Sequence, residues 1–129
     1  MELTFEQKKA LFEKAKNYGG IHNMTPHAIT VAGVTYPPCG IVARIQEEYE
    51  TEGQFCCVKP GKVIFEKDGQ SFPLTGYDCE GRVHIVSAMV FEATKNWICG
   101  VWVAPATGHP NVVRNDKGQI VSVPCFRLC

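Results

Sequence analysis

The sequence predicts a mainly β (α+β) fold, a small single-domain antiparallel sheet or barrel with one N-terminal helix. Three observations predict it. A capped amphipathic segment is confined to the first twenty residues, the hydrophobic period changes from helical to alternating after residue 20, and Gly, Pro, Asn and Asp punctuate short β-branched runs from there on. At 129 residues, 45% hydrophobic and 20% charged, the chain has the size and balance of one globular domain with a core of its own. The expected division is an N-terminal helix over 1–20 and a compact β domain over 21–129.

The helix is expected from about residue 5 to 18. Thr4-Phe5-Glu6-Gln7 has the form of a capping box, in which the Thr4 hydroxyl and the Gln7 side chain satisfy the first free backbone donors. Phe5, Leu11, Phe12 and Ala15 recur on one face while Lys8, Lys9, Glu13, Lys14 and Lys16 stay wet. Gly19-Gly20 supplies the stop, because glycine takes the left-handed cap conformation without steric cost.

Seven strands are expected after it, at Ile29 to Val34, Ile41 to Ile45, Lys62 to Glu66, Ser71 to Leu74, Arg82 to Val90, Ile98 to Val103 and Gln119 to Cys125. Asp68-Gly69 is a strong hairpin signal, and Asn115-Asp116-Lys117-Gly118 marks a second turn. Ser87 to Lys95 also suits a short helix. Seven short strands and one helix leave sheet faces uncovered, since a 14-residue helix is only about 21 Å long. Barrel closure or a homo-oligomer, most simply a dimer, is therefore expected.

Composition excludes several classes of function. Thirteen Lys and Arg balance thirteen Asp and Glu, so the bulk positive field that binds long nucleic acid is missing. A small phosphorylated ligand stays open, because one or two arginines suffice to grip a phosphate. The charged start has no apolar stretch of signal-peptide form behind it, and no run approaches the roughly 20 apolar residues of a membrane helix. A cytoplasmic protein is the expectation. Seven cysteines, an odd number without an export signal, are read as free thiols: Cys39, Cys56, Cys57, Cys79, Cys99, Cys125 and Cys129. No metal and no cofactor is expected, because these cysteines and His22, His27, His84 and His109 show none of the ligand spacings of a metal site.

Three loops concentrate chemistry-bearing side chains. Asn23-Met24-Thr25-Pro26-His27 packs an amide, a hydroxyl and an imidazole around a proline; local turn hydrogen bonds are the plain alternative to a binding role. Pro37-Pro38-Cys39-Gly40 feeds a strand on which Arg44 projects from among apolar neighbours, either into a cleft or into solvent. Ala104-Pro105-Ala106-Thr107-Gly108-His109-Pro110-Asn111, followed by Arg114, is a Gly/Pro-rich loop that matches neither the Walker nor the dinucleotide fingerprint. Phe91, Trp97 and Trp102 are candidates to stack on a flat ring or to fill the core.

The order Asn-Met-Thr-Pro-His-Ala-Ile, Pro-Pro-Cys-Gly-Ile-Val-Ala-Arg, Ile-Val-Ser-Ala-Met-Val, Ala-Pro-Ala-Thr-Gly and Arg-Asn-Asp-Lys-Gly-Gln-Ile-Val resembles a family of small phage, prophage and mobile-element proteins. Members typically open with Asn-Leu-Thr-Pro-His. The resemblance covers residues 23 to about 123, and departs at Cys39, Ala106 and Asn115, where Ser, Gly and Asp are expected. It implies a setting, the phage and mobile-element gene pool, and no activity.

Together these readings give a small-molecule-binding protein of phage type as the expected function, sequestering a nucleotide-derived host immune signal as an anti-defence decoy. Arg44 and Arg114 would hold phosphates, Asn23, Thr25, His27 and Thr107 would orient the ligand, and Trp102 would stack on its base. One alternative is an enzyme on a similar nucleotide-like substrate, with His27 as general acid or base. Another is a protein-binding inhibitor that presents Phe5, Leu11 and Phe12 of the helix to a groove.

Overall fold

The computed structural model describes residues 3–73, 81–97 and 99–129. Leu74, Cys79 and Ile98, which the expected strands and thiols include, lie outside the described residues. Helix α1 (Phe5–Tyr18) forms as the sequence predicts: Thr4 and Gln7 exchange the two capping-box hydrogen bonds, and Gly19 closes the helix at φ 70°.

The chain is mostly β, with strands β1 (Ile21–Asn23), β2 (Ile29–Val31), β3 (Val34–Tyr36), β4 (Val42–Glu52), β5 (Phe55–Lys67), β6 (Gln70–Phe72), β7 (Val83–Ile85), β8 (Val101–Pro105), β9 (Val113–Arg114), β10 (Ile120–Ser122) and β11 (Phe126–Arg127). A second helix, α2 (Ala88–Thr94), starts on the Ser87 cap, so the helical alternative for 87–95 holds and the strand expected at 82–90 is cut to Val83–Ile85.

Antiparallel pairing builds the β4-β5-β6 sheet and the β2-β3 and β9-β10 hairpins. To this the fold adds a four-stranded sheet of order β1-β7-β8-β11, in which β1, β7 and β8 run parallel. Such a parallel neighbour needs a crossover, and α2 lies on the connection from β7 to β8.

Alternation along β7 and β8 sorts the core into two layers. Val83, Ile85, Val101 and Val103 face α1, where they meet Ala15, Phe12 and Phe126. On the opposite face Trp102 and Ala104 meet Met24, Val90 and Phe91, with Ala43 and Phe65 from the second sheet. The helix is tied down further by Lys8, whose Nζ donates to the carbonyls of Lys95 and Leu128.

The strand expected at 29–34 is instead a hairpin. Ala32 and Gly33 both take positive φ, 50° and 81°, and turn the chain between β2 and β3. Strands β4 and β5 run well past the expected 41–45 and 62–66, forming a ribbon in which every residue from Gln46 to Lys59 is exposed. The ladder shifts register between Gln46 and Glu48. Gly61 faces this irregularity, and a Cβ there would meet the Ile45 side chain and come within 2.8 Å of the Gln46 carbonyl oxygen. We call residues 46–61 the arm.

The reading of seven free thiols is corrected at Cys99, which is disulfide-bonded, while Cys39, Cys56, Cys57, Cys125 and Cys129 are free and exposed. A compartment argument bears on whether thiols stay reduced and cannot see which ones the fold brings together. No helix among the described residues is long and apolar enough to cross a membrane.

Candidate functional site

Parallel strands share a direction, so the loops that leave their carboxyl ends gather at one end of the sheet. The Asn23–His27 segment follows β1, Val86-Ser87 follows β7, and Ala106-Thr107-Gly108 follows β8. Three of the sequence blocks that draw attention as separate motifs thus leave the same end of the sheet, the end at which open parallel sheets place their ligands.

The first loop is held by Asn23. Its side chain is buried; Nδ2 donates to the carbonyls of His27 and Tyr36, both at 2.9 Å, and Oδ1 accepts from the Thr25 N–H at 3.0 Å and hydroxyl at 2.6 Å. Both donors and the carbonyl are used inside the fold, which makes Asn23 the brace of the turn rather than a ligand contact. Met24, fully buried, extends the brace: its N–H donates to the Ile85 carbonyl and its own carbonyl accepts from Ala43. The first loop, β7 and β4 are locked together through this one residue.

Beside it opens a cleft of about 250 Å³, lined by Met24, Thr25, Pro26, Val42, Ala43, Arg44, Ile45, Ser87, Met89 and Val90. Its wall is apolar, with two hydroxyls and one guanidinium. Arg44 Nε donates to Glu66 Oε2 at 2.9 Å, and both side chains remain partly exposed. The bond fixes the guanidinium beside the cleft while solvent screening keeps the pair weak. Ser87 Oγ accepts from the Val90 N–H at 3.4 Å as the cap of α2.

The expected ligand residues therefore separate. Thr25 and Arg44 share the cleft. Thr107 lines a different one, about 190 Å³, with Ile29, Thr30 and the β10 segment. His27 is exposed and lines neither cleft; its carbonyl serves the Asn23 turn. Arg114 sits on the β9-β10 hairpin, where Nη1 donates to the Gly118 carbonyl at 2.8 Å and closes the turn.

Trp102 as a stacking platform is corrected. The indole is 1% exposed, with His84 stacked on it at 4.1 Å, Trp97 edge-on at 5.2 Å, and Nε1 donating to the Cys99 carbonyl. Its central strand is covered on both faces, which leaves a large ring no route to solvent. Phe91 is likewise buried.

Sequence reasoning missed two things. Ser87 and Met89 belong to the Ile-Val-Ser-Ala-Met-Val block but are not among the expected ligand residues; their place beside the cleft follows only from the β7–α2 connection. The second is a row across the parallel strands, His22 opposite His84 opposite Trp102. Desolvation pushes the pKa of the buried His84 down to about 3, with His22 and Arg82 acting the same way and a backbone hydrogen bond with Val101 opposing. His22 is lowered as well, by partial burial and then by Arg82. Among the described residues no three His, Cys, Asp or Glu side chains gather as a metal site.

No family model, curated protein or solved structure matches the chain. What the site can do is therefore read from its own geometry.

Proposed function

We propose that the cleft beside Arg44 binds a small anionic molecule and holds it without turnover. The observation that carries this reading is the pairing of one exposed guanidinium with the Thr25 and Ser87 hydroxyls at the rim of an apolar wall. That set suits a ligand with one charged end and one flat or apolar end. A cleft of about 250 Å³ is small for a ligand pocket and takes a compact molecule, or one end of a larger one.

A phosphorylated nucleotide is the ligand class we favour. Arg44 would meet the phosphate, Thr25 and Ser87 would add neutral hydrogen bonds, and Pro26 with the exposed Met89 would take the stacking role that Trp102 cannot. The resemblance to phage and mobile-element proteins supports sequestration of a host signal nucleotide as the purpose of such binding.

Calorimetric titration with a panel of linear and cyclic nucleotides tests this. Arg44→Ala is expected to weaken the binding nucleotide roughly 10- to 100-fold, the worth of a charge-assisted hydrogen bond. Thr107→Ala and Arg114→Ala are expected to leave it unchanged. Ligand recovered after heating the complex should be chemically intact. Equal affinity in Arg44→Ala, or a converted nucleotide, overturns the proposal.

A further inference from the structure

The arm and helix α1 each present an exposed surface, and the two carry opposite charge. From Gln46 to Lys59 the arm has four carboxylates, Glu47, Glu48, Glu50 and Glu52, against one lysine. Helix α1 has four lysines against two glutamates, and Lys9, Lys14 and Lys16 are exposed. The chain as a whole is neutral, so its charge is segregated rather than absent.

Register gives each patch a geometry. Directly paired residues share a face of a ribbon, so Glu48, Glu50 and Glu52 line one face of the arm, and Phe55, opposite Glu52 and 72% exposed, ends that face. On α1, Phe5, Lys9 and Lys16 stand four and seven residues apart along one flank, with Phe5 52% exposed. A face of three glutamates, with Lys59 opposite Glu48 and a phenyl group at its end, thus meets solvent at one place, and a flank of two lysines and a phenyl group, with Glu13 beside the lysines, at another. The six steps from Gln46 to Glu52 span about 20 Å. A 14-residue helix spans about 21 Å.

The arm cannot reach its own helix. Its root, at Ile45 and Val63, packs on the face of the central sheet that carries Trp102, and α1 packs on the face that carries Val101 and Val103. We propose that the chain forms a two-fold dimer in which the arm of each protomer lies along α1 of the other. The exchange is self-complementary and closed, since each protomer gives one arm and receives one, and it covers both Phe55 and Phe5. Glu48 is engaged at the base of the arm by Lys62, at 3.3 Å, so Glu50 and Glu52 are the carboxylates offered to the partner.

Charge reversal in trans tests this. Wild-type chain at micromolar concentration and low salt should sediment at twice the 14.3 kDa chain mass. It should shift toward one chain mass near 1 M salt, where the screening length is about 3 Å. Glu50→Lys with Glu52→Lys, and separately Lys9→Glu with Lys16→Glu, should each be monomeric; all four sites are exposed, and circular dichroism checks that both variants stay folded. Mixed one to one, the two variants should recover a heterodimer, because each reversed arm then meets a reversed helix. A monomeric wild-type chain at low salt overturns the proposal and leaves the arm to a partner of other chemistry. A dimer that survives both reversals overturns it by placing the interface elsewhere.

Discussion

The parallel body and the arm are made of the same hydrogen-bonded ladder and of opposite sequences. In the body, β7 and β8 are short and apolar, and every residue of β7 is buried between α1 on one side and the second core layer on the other. In the arm, β4 and β5 are long, β4 is acidic and β5 opens on the exposed apolar run Phe55–Val58, and no residue from 46 to 59 is covered. A strand in the body exists because tertiary burial demands it; a strand in the arm exists because its partner lies directly alongside. The first kind stabilises the domain, and the second extends a surface from it.

That contrast assigns the largest effect to the body. Trp102→Ala is expected to cost about 3–5 kcal/mol in urea unfolding, the range for emptying a buried aromatic site. Trp102→Phe, which keeps most of the volume and loses the bond to the Cys99 carbonyl, should cost clearly less. A loss below about 1 kcal/mol for the alanine variant would mean that the His84–Trp102–Phe65 cluster is not the centre of the core.

The same row makes the body sensitive to pH. The folded-state pKa of His84, about 3, lies below its ordinary 6.5, so between those values the unfolded chain binds the extra proton. Stability therefore rises with pH across that window, is complete above 6.5, and is lost as pH falls toward 3. The slope approaches about 1.4 kcal/mol per pH unit, or roughly 2 kcal/mol lost at pH 5. His22, lowered too, adds in the same direction. Glu92, held down by Lys95 and Arg127, adds its loss only in more acidic solution, so urea midpoints from pH 7 to 5 isolate the histidines. His84→Gln should flatten that profile; an unchanged slope would assign it to other groups.

How much of this the sequence discloses follows the same division. Helix α1, its capping box and its glycine stop are local features and read directly. So do the turns at Asp68-Gly69 and Asn115–Gly118, because backbone conformation is written in the residues that adopt it. Strand β1 does not read: three residues, one of them the buried Asn23, take their ladder from β7, distant in sequence, with one further bridge from Asn23 to Pro38. The arm does not read either, because Gln46-Glu47-Glu48-Tyr49-Glu50 has the composition of a solvated segment. For the site, Thr25 and Arg44 are legible as polar groups beside turns, but their meeting depends on Met24 linking the first loop to β7 and β4. Trp102 misled because an aromatic in a short strand looks the same whether its strand is central or at the edge.

The smallest expected effect lies in the arm and sharpens the comparison from its other side. Val58 pairs with Tyr49 across the ladder and is already 59% exposed, so Val58→Ala removes two methyl groups that are largely in water. A loss of about 0.5 kcal/mol or less is expected for such a substitution. Global urea unfolding should therefore leave this variant close to wild type, several kcal/mol from Trp102→Ala. The local effect should be visible where the global one is not. The arm amides are held by a two-stranded ladder that opens without unfolding the body, so hydrogen exchange at residues 49–58 should quicken while exchange at 83–86 and 101–104 stays unchanged. A Val58→Ala variant that leaves arm exchange unchanged, yet lowers global stability by several kcal/mol, would show that the arm is covered in the folded monomer and that the two regions are one cooperative unit.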